Sequence, residues 1–158
     1  MLLLYNMKYS IALNSRDRVN GGLANNCEFP FDFGVFKDGE YEMTFTFVTD
    51  PHNLEGLGKT CSVFSNTGGS NIYTTTNTTN AGTTQYIGSV KEVGQLGHSG
   101  GTAENQLASN THDNGGVYMS SKPANHTIKI RLLDGTGTPY SDGSTCPEWV
   151  MMMTFTKL

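Results

Sequence analysis

The peptide Gly97-His98-Ser99-Gly100-Gly101 matches G-x-S-x-G, the pattern that holds a nucleophilic serine on a sharp strand-to-helix turn in α/β-hydrolases. Asp113 and His126 follow in the chain order such a triad needs. The chemistry depends on surroundings that this chain does not supply. No helix longer than a turn or two is expected after Gly101, no βαβ unit is legible, and too little chain remains beyond it. A trypsin-like arrangement fails too, because 158 residues cannot build two barrels. The peptide therefore reads as a glycine-rich loop.

Other chemistry-bearing groups meet the same objection. Asn53 to Thr60 ends in Gly-Lys-Thr like a phosphate-binding loop, but Asn53 stands where the motif needs glycine. A strand, not a helix, is expected after it, and phosphate cradling needs the helix N-terminus. Asp134-Gly135-Thr136-Gly137-Thr138 resembles the D-x-x-G-T peptide of phosphotransferases, yet the parallel α/β sheet and later motifs are missing. It reads as a turn leaving a strand. His98, His112 and Asp113 share one long segment and could ligate a metal, but loop histidines of this spacing are more often merely solvated, and no further ligand is compelling. Asn77-Thr78-Thr79 and Asn125-His126-Thr127 have the form of glycosylation sequons, common by chance in so Asn- and Thr-rich a chain. Trp149 could stack on a sugar, but its place in an alternating apolar series favours the core, with its indole N–H bonded near the strand end. Cys27, Cys61 and Cys146 are odd in number and match no zinc spacing; buried thiols are favoured, with one disulfide as the alternative. No catalytic, cofactor-binding or metal-binding residue is assigned.

The elements that would position these groups are strands. Period-two alternation sets Tyr5, Met7, Tyr9, Ile11 and Leu13 on one face over residues 5–13. Cys27, Phe29, Phe31, Phe33 and Val35 repeat it over 27–35, and Tyr41, Met43, Phe45 and Phe47 follow after a hairpin signal at Lys37-Asp38-Gly39. Near the end, Ile128, Ile130 and Leu132 alternate, then Trp149, Met151, Met153 and Phe155. Weaker strands are expected at about 60–66, 70–77, 83–91 and 116–121. Segments 14–26, 50–59, 92–115 and 134–147 read as loops, with a turn or two of helix over Thr102 to Ala108 capped by Thr102.

Composition agrees with short strands and many turns. Gly, Ser, Thr and Asn make up about two-fifths of the chain, while 36% hydrophobic content with 8 Phe and 7 Tyr can still form a core. A net charge of −4 with scattered Lys and Arg excludes the basic face that nucleic-acid binding requires. Met1 to Tyr5 is too short and too poor in basic residues for a signal peptide, and no stretch approaches a membrane span. Synthesis in a reducing, intracellular setting is expected. The fold expectation is all-β: one domain over 1–158, an antiparallel two-sheet β-sandwich, a single jelly roll of about eight strands.

Two stretches carry a resemblance. Ile11-Ala12-Leu13-Asn14-Ser15-Arg16-Asp17-Arg18 precedes Gly21-Gly22 and a Phe-rich strand. Ile128-Lys129-Ile130-Arg131-Leu132-Leu133-Asp134-Gly135-Thr136-Gly137 leads to Trp149-Val150-Met151-Met152-Met153-Thr154-Phe155. The layout resembles single jelly-roll structural proteins of large double-stranded DNA viruses, of the penton or minor-capsid kind. There an S-x-D-R-x-x-G segment follows the first strand, and I-R-L-L-D-x-x-G and W-x-x-x-x-x-F strands close the sandwich. The resemblance implies a virion protein, made in the host cytoplasm, that assembles with copies of itself (a pentamer is one form) and with a major capsid protein. It implies no catalysis. A glycan- or receptor-binding β-sandwich of a fibre or lectin-like kind is the alternative. The Asn14 to Arg18 cluster is expected either to cap a solvated strand end or to make a salt-bridged contact with a neighbouring subunit.

Overall fold

A computed structural model describes residues 7–50, 60–67, 84–96, 104–109, 115–141 and 146–158, with side chains at 92–96 and 104–105 excepted. Nine strands fall among them: β1 (Lys8–Asn14), β2 (Asn26–Pro30), β3 (Tyr41–Thr49), β4 (Thr60–Ser65), β5 (Gln85–Leu96), β6 (Glu104–Ser109), β7 (Val117–Met119), β8 (Thr127–Leu133) and β9 (Trp149–Lys157). All pairings are antiparallel, in the order β1-β9-β3-β6-β5-β4-β8-β2, with β7 also on β3. The result is an all-β, nearly closed, barrel-like sheet.

The alternation read from the sequence is the burial pattern. Ile11 and Leu13 of β1, Met151, Met153 and Phe155 of β9, and Tyr41, Met43, Phe45 and Phe47 of β3 point inward. They share one core with Cys27 and Phe29 of β2, Ile128, Ile130 and Leu132 of β8, Cys61 and Val63 of β4, and Ile87 and Val90 of β5. Because successive side chains leave a strand on opposite faces, each ladder buries one set and exposes the other. The ladder between β3 and β9 runs from Tyr41↔Lys157 to Thr49↔Trp149 and is the backbone of this half.

Trp149 joins the two halves of the core. Its ring meets Phe29 of β2 edge-on at 6.0 Å and lies tilted on Phe47 of β3 at 5.4 Å. Its indole N–H donates to the Ala24 carbonyl at 2.6 Å, near a strand end as expected. The opposite end is closed by Phe33 and Phe36, both packed edge-on against Phe155, with Tyr9 stacked on Phe36 at 4.1 Å.

β6 pairs with both β3 and β5 and so links the strands into one strip. Two expectations need correction. The 92–115 segment is not all loop: β5 extends to Leu96 and β6 occupies Glu104–Ser109, replacing the short helix expected over Thr102 to Ala108. Those strands are built by backbone pairing, with a register shift between Val93 and Gln95, which side-chain alternation does not reveal. The 27–35 strand stops at Pro30, and Phe33–Val35 forms a 3-10 turn capped by the Asp32 carboxylate, which accepts from Gly34 N–H at 2.8 Å. That turn buries Phe33 and Phe36, three residues apart, and leaves Val35 66% exposed where strict alternation would bury it. The strand expected at 70–77 lies outside the described residues.

A bulge adds a feature the pattern did not suggest. Between Val63↔Gly88 and Phe64↔Tyr86 the register shifts, leaving Ile87 as the extra residue on β5. Gly88 has φ +156°, a conformation that side chains disfavour. Phe64 is thereby buried in a second small cluster with Leu133 and Tyr86, apart from the main core.

Candidate functional site

The Asn14 to Arg18 cluster follows directly from where β1 ends. Asn14 caps the 3-10 turn Ser15–Asp17 by accepting from Arg16 N–H at 3.0 Å. That turn drives Ser15 into the interior, where it is fully buried. Trp149 N–H donates to Ser15 Oγ at 2.8 Å, and the Ser15 hydroxyl donates to the Glu148 carboxylate. Arg18 Nη1 bonds both Glu148 oxygens at 2.9 and 3.0 Å and the Ser15 carbonyl at 2.6 Å. The remaining edge of its guanidinium, Nε and Nη2, donates to the Gly22 carbonyl at 3.0 and 2.8 Å. Gly21 and Gly22 have φ +64° and +83°, so two residues free of the left-handed penalty bring that carbonyl round to Arg18. Arg16, at the rim, is bonded to Asp50.

The electrostatics are those of a structural knot. Burial pushes the Glu148 carboxyl up, but the hydrogen bond from Ser15 and the Arg18 guanidinium outweigh it and hold the group below its ordinary value. Side-chain exposure is 17% at Arg18 and 28% at Glu148, so the pair is sheltered but not dry. Arg18 spends its guanidinium within the chain. The strand end is capped, with Ser15 buried in place of a solvated end, and Glu148 and Trp149 complete it from the far end of the sequence. Sequence reading singled out Asn14 to Arg18 and Trp149 but missed Glu148. No local pattern could have revealed it, since the contact spans 130 residues.

The Asp134 peptide is the turn that was expected. Asp134 Oδ1 accepts from Thr136 N–H at 2.8 Å, Thr136 Oγ1 at 2.7 Å and Thr138 N–H at 3.0 Å. Gly137 N–H closes the turn onto the Asp134 carbonyl at 3.0 Å, and Asp134 N–H donates to Thr138 O at 2.8 Å. Burial raises the Asp134 carboxyl, but the Thr136 hydroxyl and the backbone donors hold it below its ordinary value. An open pocket of about 290 Å³ beside the turn is lined by Thr60, Asp134, Gly135, Thr136, Tyr140 and Ser141. Asp134 is its sole carboxylate among the described lining residues, and one oxygen of it serves the turn.

No family model matches the chain, and no curated protein matches it.

The other candidates fall as follows. Gly97 to Gly101, with His98 and Ser99, lies outside the described residues, as do His112, Asp113, Asn53 to Lys59 and the Asn77 sequon. His126 sits exposed, 3.8 Å from Asp32. Asn125 is exposed, and its amide donates to Asn66 O at 3.0 Å. Trp149 is 1% exposed, so its ring is no sugar platform. Among the described residues no group of three His, Cys, Asp or Glu side chains is placed to hold a metal ion, and no helix is long and apolar enough to cross a membrane.

All three cysteines are free and buried. Burial pushes the Cys27 and Cys146 thiols up to about 12 and the Cys61 thiol well above its ordinary value. Since the thiolate is the reactive species, folded protein is expected to resist alkylation at all three positions. Labelling in a time course with a thiol reagent should follow unfolding; fast labelling of the native state would contradict this burial.

Proposed function

We propose that the chain is a non-catalytic structural subunit of a virus particle, a single jelly roll of the penton or minor-capsid kind. The observation that carries the jelly-roll part is the strand order. With β6 set aside, the remaining pairings fall into two four-strand runs, β1-β9-β3-β7 and β2-β8-β4-β5. With β6 set aside, the chain changes run at every step except β4 to β5, which pair as neighbours within one run, the interleaving produced by two Greek keys wound together. β6 then acts as a stitch between the runs, and Trp149, Phe29 and Phe47 fill the space between them.

The virion part rests on the resemblance of the two terminal stretches, and their geometry supports treating them as one unit. Asn14 to Arg18 and Glu148-Trp149 are knit through Ser15 and Arg18, while Leu132 N–H donates to Asn25 O at 2.9 Å beside the same corner. The motif residues therefore build a shared corner where both runs meet. Two of the described acids serve the fold: Glu148 ties down Arg18 and Asp134 caps its own turn.

Quantitative protein composition of purified particles tests this reading. The chain is expected at a fixed ratio to a major capsid protein, retained after salt washing. Absence from intact particles, together with saturable binding on a glycan array, would replace the proposal with the lectin-like alternative.

A further inference from the structure

The two ends of the strand order are finished differently. The outer edge of β2 is closed by its own chain: Val19 N–H donates to Glu28 O at 2.9 Å, Glu28 N–H to Asn20 Oδ1 at 3.1 Å, and Asn20 Nδ2 to Asn26 O at 2.9 Å. At β1, Lys157 N–H donates to Met7 O at 2.8 Å, so Met7 turns its backbone toward β9. Antiparallel alternation then turns Tyr9, Ile11 and Leu13 toward β9 and aims the N–H and C=O groups of Lys8, Ser10 and Ala12 away from it. Among the described residues nothing bonds those outward groups. This edge also lacks the usual protections, with no proline, no bulge and a single charge at its start, Lys8.

We propose that β1 is a self-association edge, through which two copies of this chain pair antiparallel about a two-fold axis at Ile11. The strand is complementary to itself in three respects. Centring on Ile11 sets Ser10 against Ala12 of the partner subunit, so outward backbone groups meet outward backbone groups. It keeps Tyr9, Ile11 and Leu13 on the core side of both copies and Ser10 and Ala12 on the outer side. It also opposes Lys8 to Asn14 of the partner subunit, so that the strand's one charge never faces its own copy. An isologous contact of this kind closes after two copies. The joined sheet would bring together the outer faces on which Met152 stands opposite Ala12, and Val150 opposite Val48, all exposed in the single chain. The inference is separate from the capsid reading and does not depend on it.

Sedimentation velocity across micromolar concentrations tests it on the full chain. Wild type is expected to dimerise. Ala12→Pro removes an outward N–H that β9 does not use, a position at which edge strands tolerate proline, and is expected to abolish the dimer with an unchanged circular dichroism spectrum. Ser10→Lys adds charge at the seam and is expected to do the same, and it decides the matter should Ala12→Pro fail to fold. A wild type monomeric throughout the range, or a dimer that survives in folded Ser10→Lys, would overturn the proposal. Larger rings that form equally well in both variants would also overturn it, while leaving the capsid reading intact.

Discussion

Replacing Trp149 with alanine is expected to cost about 3–5 kcal/mol of stability, the range for deleting a fully buried large aromatic. The reason is position as much as size. Trp149 is the side chain that touches Phe29 on one four-strand run and Phe47 on the other, so its removal opens a cavity between them. It also leaves the Ala24 carbonyl without the indole donor in a buried place. Trp149→Phe separates these effects: most of the ring remains but the N–H does not, the Ala24 carbonyl keeps only the weaker Cys27 thiol donor, and a smaller loss of about 1–2 kcal/mol is expected from the lost indole bond and residual space. Urea unfolding followed by circular dichroism measures both variants. A lower midpoint with an unchanged denaturant slope would mean the fold is retained and only its stability has fallen.

The second large effect is expected at Glu148. Glu148→Gln should destabilise the protein by about 2–3 kcal/mol, because it removes the charge that Arg18 is held against in a sheltered corner. The bonds form a relay, from Trp149 N–H to Ser15 Oγ, and from the Ser15 hydroxyl to the carboxylate that also takes Arg18. Members of such a relay should not act additively, so Arg18→Ala and Glu148→Gln combined should cost less than the sum of the two. The acid limb gives an independent reading. The Glu148 carboxyl is held below its ordinary value in the folded protein, so the folded state binds fewer protons than the unfolded one as pH falls. Its contribution is therefore present above the unfolded value of about 4.3 and is lost as pH drops through the lower folded value. Glu148→Gln should flatten that part of the stability-versus-pH curve. A residual acid slope should remain from Asp134, which is depressed in the same direction.

Much of this architecture could be read from side-chain alternation. β3, β8 and β9 emerge with the inward residues that the pattern named, because each has one wet face and one dry face. Of the strand expected over residues 5–13, β1 covers Lys8 onward, while Tyr5 and Asn6 lie outside the described residues. Where alternation misled, a local group overrode it: Asp32 bonding Gly34 N–H bends the chain out of β2, and the 3-10 spacing carries Phe36 inward. β6 was missed because its existence depends on partners at both sides and not on its own pattern.

The strand-end cluster was legible only in part. Ser15, Arg16 and Arg18 announce themselves as polar residues ending an apolar strand, and Asn14 as a cap. Their partners do not. Glu148 and Asp50 sit beside strand ends elsewhere in the sequence, and only the antiparallel pairing of β9 with both β1 and β3 brings them to one corner. The choice between an internal knot and a subunit contact could not be made from residue types, since either would use the same Arg and Glu.

Imaging of the native particle to side-chain detail tests the central claim most directly. The account predicts density for this chain at a repeating position in the shell, with the β1-β9-β3-β7 and β2-β8-β4-β5 runs enclosing Trp149 and the Arg18–Glu148 pair kept within the subunit. A shell in which every position is filled by other chains would contradict it.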